Sequence, residues 1–144
     1  MGKKMTVLYL SGKYSADTFD GITKNIIDAR KIAVNLWEQG FTVQCPQMNT
    51  AHFEVDTKKV SYDDWLKGDL EMEMRCDAVI MLPGWKDSKG SKLEHELAEK
   101  YQIPIYYWPD HPEITYQELF HVDKLHALMK ALMILYRSFL RGEI

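Results

Sequence analysis

Four short apolar runs alternate with segments of helical periodicity along this chain of 144 residues. The runs cover residues 6–10, 41–45, 78–82 and 103–108. Runs that are apolar throughout, rather than at every second position, mark strands buried on both faces. Between the first two, Ile22, Ile26, Ala29, Ala33, Leu36 and Trp37 recur at helical spacing and Gly40 ends the pattern. Residues 62–74 and 91–101 read as two further helices. Strands joined by helices imply right-handed crossovers and a mainly parallel sheet. The expected fold is therefore α/β. It is a three-layer αβα sandwich with four or five strands, flavodoxin-like or Rossmann-like in type. The length suits a single domain spanning 1–144. Pro46 stops the second strand, and Pro104 puts the fourth at a strand start or a sheet edge. Residues 47–60 are polar and irregular and read as one long loop. Residues 115–120 read as a short helix and 124–141 as a long one.

Composition removes several function classes. The net charge is −3 with no long run of one sign, which argues against binding a nucleic-acid polymer through its phosphates. No apolar stretch approaches the roughly 18–20 residues of a membrane span, and the first ten residues do not read as a secretory signal. Cys45 and Cys76 lack metal-type spacing, as do His52, His111, His121 and His126. A cytoplasmic, reduced protein with no metal or cofactor is expected.

The segment from Gly84 to Glu94 follows the third apolar run and opens a helix. In open α/β sheets, ligands bind at that end of the strands. On a helical wheel Leu93, Leu97, Ala98 and Tyr101 define the buried face, with Glu94 near its middle and His95, Glu96 and Glu99 on the other side. An ionised carboxylate there costs several kcal/mol unless it is paired or hydrogen-bonded. A place in the first helical turn, near free backbone N–H groups, lowers that cost. A plainer reading is a capping box, with Glu94 folded back onto the Ser91 amide; the two readings can coexist. In 62–74, Tyr62, Trp65, Leu66, Leu70 and Met72 face inward, and Asp69 and Glu73 share that side. Paired carboxylates facing one cleft suit cleavage of a glycosidic bond. Ser11-Gly12-Lys13 lacks the upstream glycines of a phosphate loop, and neither a catalytic triad nor a nucleophile elbow is present.

Several of these residues, taken in order, are similar to a known family. Leu8-Tyr9-Leu10-Ser11-Gly12, Asp64-Trp65-Leu66, Asp69-Leu70, Cys76-Asp77-Ala78, Leu82-Pro83-Gly84-Trp85, Ser88, Gly90-Ser91 and Glu94 resemble a bacterial and phage branch related to nucleoside 2-deoxyribosyltransferases and nucleotide N-glycosidases. The resemblance spans 6–108. It implies that Glu94 is the nucleophile at the anomeric carbon and Asp69 the partner acid. Tyr9 would hold the nucleophile or sugar, while Ser11 and Gly12 would line the sugar and its 5′ group. Asp87, Ser88 and Gly90 resemble the family's Asp-Ser-Gly turn, interrupted here by Lys89. Lys13 is the nearest candidate for a 5′-phosphate contact. Ser91 and Trp85 complete the candidate substrate-binding set, and His52 and Phe53 are further candidate walls for a stacked base. A small-molecule nucleoside or nucleotide is the expected partner.

In 124–141, Leu125, Leu128, Met129, Leu132, Met133, Leu135, Tyr136, Phe139 and Leu140 cover nearly half the wheel, and Ala127, Ala131 and Ile134 extend it. A helix so apolar points to a homo-oligomer interface, with intrachain core as the alternative. For function, cleavage or transfer at an N-glycosidic bond is the leading expectation. A nucleotide-binding sensor without turnover and a glycohydrolase of NAD or a related signalling nucleotide are its rivals.

Overall fold

The computed structural model describes residues 5–108 and 124–143, with side chains from 132 onward in the second stretch. The chain divides into two compact units, residues 1–112 and 113–144. In the first, strands β1 (Val7–Ser11), β2 (Thr42–Gln44), β3 (Ala78–Met81) and β4 (Ile105–Tyr107) form one sheet in the order β2-β1-β3-β4, and every pairing is parallel. The helices are α1 (Phe19–Glu38), α2 (Pro46–Asn49), α3 (Phe53–Asp56), α4 (Tyr62–Glu73) and α5 (Lys89–Lys100). The expected α/β architecture is observed, with four strands. The chain leaves β1 toward β2 on one side and reaches β3 and β4 on the other, so right-handed crossovers put α1 and α5 on opposite faces. This makes the αβα sandwich. The direction of winding changes between β1 and β3, and a crevice opens beyond their carboxyl ends.

The core explains the apolar runs. Leu8, Tyr9, Leu10, Val79, Ile80 and Met81, on the two central strands, are wholly buried. β4 is an edge strand and Pro104 sits just before it, so its missing N–H breaks no ladder. The Asp77 carboxylate accepts from the Val7 amide at 2.8 Å and ties the start of β1 to the approach to β3.

Helix boundaries follow from caps. Thr18 Oγ1 accepts from the Gly21 amide at 3.0 Å to start α1, and Gly40 follows its end at φ 94°. Ala29, Ala33 and Leu36 form its buried stripe, whereas Trp37, expected on that stripe, is half exposed. Ser61 and Asp64 make a reciprocal capping box at the start of α4.

Two expectations are corrected. Residues 47–60 are not one irregular loop. Pro46 at the first helical position starts α2, and His52 in the left-handed region, at φ 58°, separates it from α3. In addition, α5 begins at Lys89, two residues earlier than expected. Ser88 is the cap, and its Oγ accepts from the Ser91 amide at 3.2 Å. The Ser91 amide is thus already satisfied and Glu94 lies in the second turn, so the Ser91–Glu94 capping box does not form.

In the second unit, α6 (Lys124–Leu140) matches the expected long helix. Leu132, Leu135, Tyr136, Phe139 and Leu140 are each more than half exposed. The short helix expected at 115–120 lies outside the described residues. Among the described residues no helix is long and apolar enough to cross a membrane.

Candidate functional site

A cavity of about 390 Å³ opens where the switch between β1 and β3 predicts it. Its walls come from the loop after β1, the segment from Pro46 to Val60, the inner face of α4 and the start of α5. Six of the expected site residues line it: Gly12, Asp69, Ser88, Gly90, Ser91 and Glu94. Two more, Tyr9 and Ser11, are buried in β1 and meet Glu94 from behind. Ser11 Oγ donates to Glu94 Oε1 at 3.1 Å. That bond joins the last residue of β1 to the second turn of α5, so the sheet itself positions the carboxyl. Gly12 follows because a β-carbon there would lie 2.8–2.9 Å from the Leu82 side chain. Only glycine lets the two strand ends approach so closely.

Glu94 is 6% exposed, and burial raises its carboxyl to about 8. The Tyr9 hydroxyl opposes that rise, Asp69 adds to it and the Ser11 hydrogen bond opposes it. The Tyr9 contact falls short of full hydrogen-bond geometry: Tyr9 Oη and Glu94 Oε2 are both buried without a partner. Burial also lifts the Tyr9 hydroxyl well above its usual range, helped by the nearby acids Glu94 and Asp69. The expectation that a helix terminus holds Glu94 ionised is therefore corrected. From the second turn of α5 it has no free amide to accept from, and its neutral form is favoured near neutral pH.

Asp69, on α4, faces the same cavity, and burial raises it to about 6. One turn further on, Glu73 is wholly buried with both carboxyl oxygens unpartnered. Burial first, and the Glu94 charge second, raise Glu73 to about 9. Its inward direction was visible on the helical wheel, but its depth was not. The site therefore gathers three carboxyls and a tyrosine hydroxyl that differ in affinity for a proton.

Three expected site residues neither line the cavity nor meet Glu94. Lys13 is exposed beside it. Trp85 stacks on His95 at 4.4 Å between centroids, and His95 meets the Tyr107 hydroxyl at 2.7 Å; this aromatic cluster gathers beside the edge strand β4. Asp87 is exposed at the end of the 3-10 turn Trp85–Asp87. His52 stacks on Phe19 at 4.1 Å and Phe53 packs edge-on against Trp65 at 6.0 Å; neither lines the cavity.

Sequence reasoning missed Gln47, Tyr14 and Glu54. Gln47 is buried on the cavity wall, where its amide donates to the Gly12 carbonyl at 2.8 Å. Tyr14 Oη donates to the Glu54 carboxylate at 3.0 and 2.9 Å. All three come from segments read as loop, where no periodicity reports direction. Pro46 at a helix start was the one local signal available. Among the described residues no group of three or more His, Cys, Asp or Glu side chains is placed to hold a metal ion.

The fold is shared with a 2-deoxyribosyltransferase from the psychrotolerant bacterium Bacillus psychrosaccharolyticus. Superposition gives a TM-score of 0.51 at 18% identity over 71% of each chain. No curated protein matches the sequence. Residues 6–107 match the family model described as a domain of unknown function, DUF4406, and among the described residues these hold the four strands and the cavity wall. The chain belongs to the DUF4406 family.

Proposed function

We propose that this protein cleaves or exchanges the N-glycosidic bond of a nucleoside or nucleotide. The observation that carries the proposal is the pair Glu94 and Asp69, placed on one cavity at the carboxyl ends of β1 and β3. The fold shared with a deoxyribosyltransferase supports it.

The chemistry follows from where the protons reside. With Asp69 raised to about 6 and Glu94 to about 8, the pair holds one proton between those values. The prevailing form has that proton on Glu94; the reactive arrangement is the minor one, reached when the proton passes to Asp69 and leaves the charge on Glu94. Glu94 attacks C1′ through an oxocarbenium-like transition state and forms a glycosyl ester. The C1′–N bond breaks, its electron pair goes to the base, and Asp69 delivers the proton that the base needs to leave. Water then attacks the ester in a hydrolase, or a second base does so in a transferase. Ser11 holds one oxygen of Glu94, and the Tyr9 hydroxyl stands ready for the other as charge develops. Glu73, raised to about 9, stays neutral throughout and adds no charge beside the nucleophile.

The test is chromatography of free base after incubation with a panel of nucleosides, 5′-nucleotides and NAD. Release by the wild type and its loss in Glu94→Gln are expected. A Glu94→Gln variant with near wild-type turnover on the best substrate would overturn the assignment. Tight binding with no base release anywhere in the panel would favour a sensor, a reading in keeping with the neutral form that Glu94 prefers.

A further inference from the structure

We propose that Glu54 selects the base, and that the base it selects presents two adjacent N–H donors, as guanine does at N1 and N2. The inference rests on the glycosidic reading above, which puts the sugar between Glu94 and Asp69.

The base is located by α4. Tyr62, Trp65, Leu66 and Asp69 all line the cavity and recur at the spacing of one helix face. At a rise of about 1.5 Å per residue, this row runs roughly 10 Å along the wall. A sugar at Asp69 therefore sends its base along Leu66, Trp65 and Tyr62, a surface suited to a flat heteroaromatic ring. Beside this stretch stands α3. Phe53 packs edge-on against Trp65, and its neighbour Glu54 lines the cavity.

The Glu54 carboxylate is held in place. Tyr14 Oη donates to both of its oxygens, at 3.0 and 2.9 Å, and itself accepts from the His52 amide at 2.9 Å. The His52 ring meets Thr23 Oγ1 at 3.0 Å, which anchors the cluster to α1. The Tyr14 hydroxyl and the His52 ring, whose Nδ1 lies 3.6 Å from Oε1, flank the carboxylate, and each oxygen keeps acceptor capacity to spare. Two fixed, parallel acceptors match two parallel donors. Guanine offers N1–H and N2–H side by side. Hypoxanthine offers only N1–H. Adenine and cytosine put a ring-nitrogen lone pair next to their amino group, which the carboxylate repels. Lys58 lines the same wall, and its ammonium donates to the Glu54 main-chain oxygen at 2.6 Å.

The test is calorimetric titration of the Glu94→Gln protein, which cannot turn over, with guanosine, inosine and their 2′-deoxy forms. The guanine member of each pair should bind at least about tenfold more tightly, the worth of one hydrogen bond to a charged acceptor. Adding Glu54→Gln should bring the ratio near one, with guanine binding weakened more than hypoxanthine binding. Equal affinities, a preference for hypoxanthine, a ratio that survives Glu54→Gln, or no binding of either nucleoside would each overturn the proposal. The ratio measured before Glu54 is altered keeps the test decisive even if the double variant does not fold. Base release by the wild type is scored separately. A guanine preference without release would refute the catalytic reading and leave the base assignment standing.

Discussion

Glu94→Gln should make the protein more stable in alkaline solution while abolishing base release. Burial raises the Glu94 carboxyl from 4.5 to about 8. In the unfolded chain it reverts to its ordinary value. Below about pH 4.5 both states carry the proton, and the neutral side chain contributes its full share of stability. Between 4.5 and 8 only the folded state carries it, so stability falls as pH rises. Above 8 neither state carries it and the loss levels off. At about 1.36 kcal/mol per pH unit, the ceiling on that loss is about 5 kcal/mol. Asp69 and Glu73 share the same protons, so a few kcal/mol is the expected measured value. Glutamine has nearly the same shape and never ionises. The variant should match the wild type near pH 5 and exceed it by about 2–4 kcal/mol at pH 9. Urea unfolding followed by tryptophan fluorescence at pH 5, 7 and 9 measures this, with a constant m-value as the control. A difference that is flat with pH, or that grows toward acid, would refute the picture of Glu94 as a buried acid held near neutrality.

Three further expectations follow from the same geometry. The rate kcat/KM should be bell-shaped with limbs near pH 6 and 8, set by Asp69 and Glu94, and Asp69→Asn should lower it by about 10²–10⁴-fold; a profile flat from pH 5 to 9 would refute the shared-proton pair. Glu73→Met removes two buried, unpartnered oxygens and should raise stability by about 1–3 kcal/mol at pH 8; a lower melting temperature at that pH would show that Glu73 holds a favourable bond. The exposed apolar residues of α6, among them Leu135, Tyr136 and Phe139, lead us to propose a homo-oligomer; a monomer by light scattering at micromolar concentration would refute it.

The sheet was legible because its central strands are buried on both faces, and burial leaves an unbroken apolar run that needs no context to read. The inward tilt of Glu94 and Asp69 was legible for the same reason: helical periodicity gives direction, and a carboxyl on an apolar face stands out. Depth was not legible. Glu73 and Asp69 share one face of α4, yet only the former is wholly buried, because depth depends on where the helix ends against the sheet. The start of α5 was misplaced because Gly90 weakens a helical pattern and Ser88 and Ser91 are both plausible caps. Tyr14, Gln47 and Glu54 lie in segments without periodicity, and only the fold brings them to one wall.

The placement of Ser11 shows why such a site is built at strand ends. Its backbone completes the β1–β3 register opposite Met81, while its hydroxyl holds Glu94. A shift of that register by one residue would turn Ser11 to the other face of the sheet and take from the carboxyl the hydrogen bond that Ser11 gives it. Unpaired and buried, Glu94 would then bind its proton more firmly still and lose the anionic form that its proposed role as nucleophile needs. The sheet thus sets the proton affinity of the acid as well as its position. This also explains why a second acid on α4 is tolerable so near. Asp69 releases its proton first, Glu94 second and Glu73 last, so the three carboxyls are never all charged near neutral pH. Protonation spares the cluster most of its mutual charge repulsion, and only the proton shared between Asp69 and Glu94 is free to move in the working range.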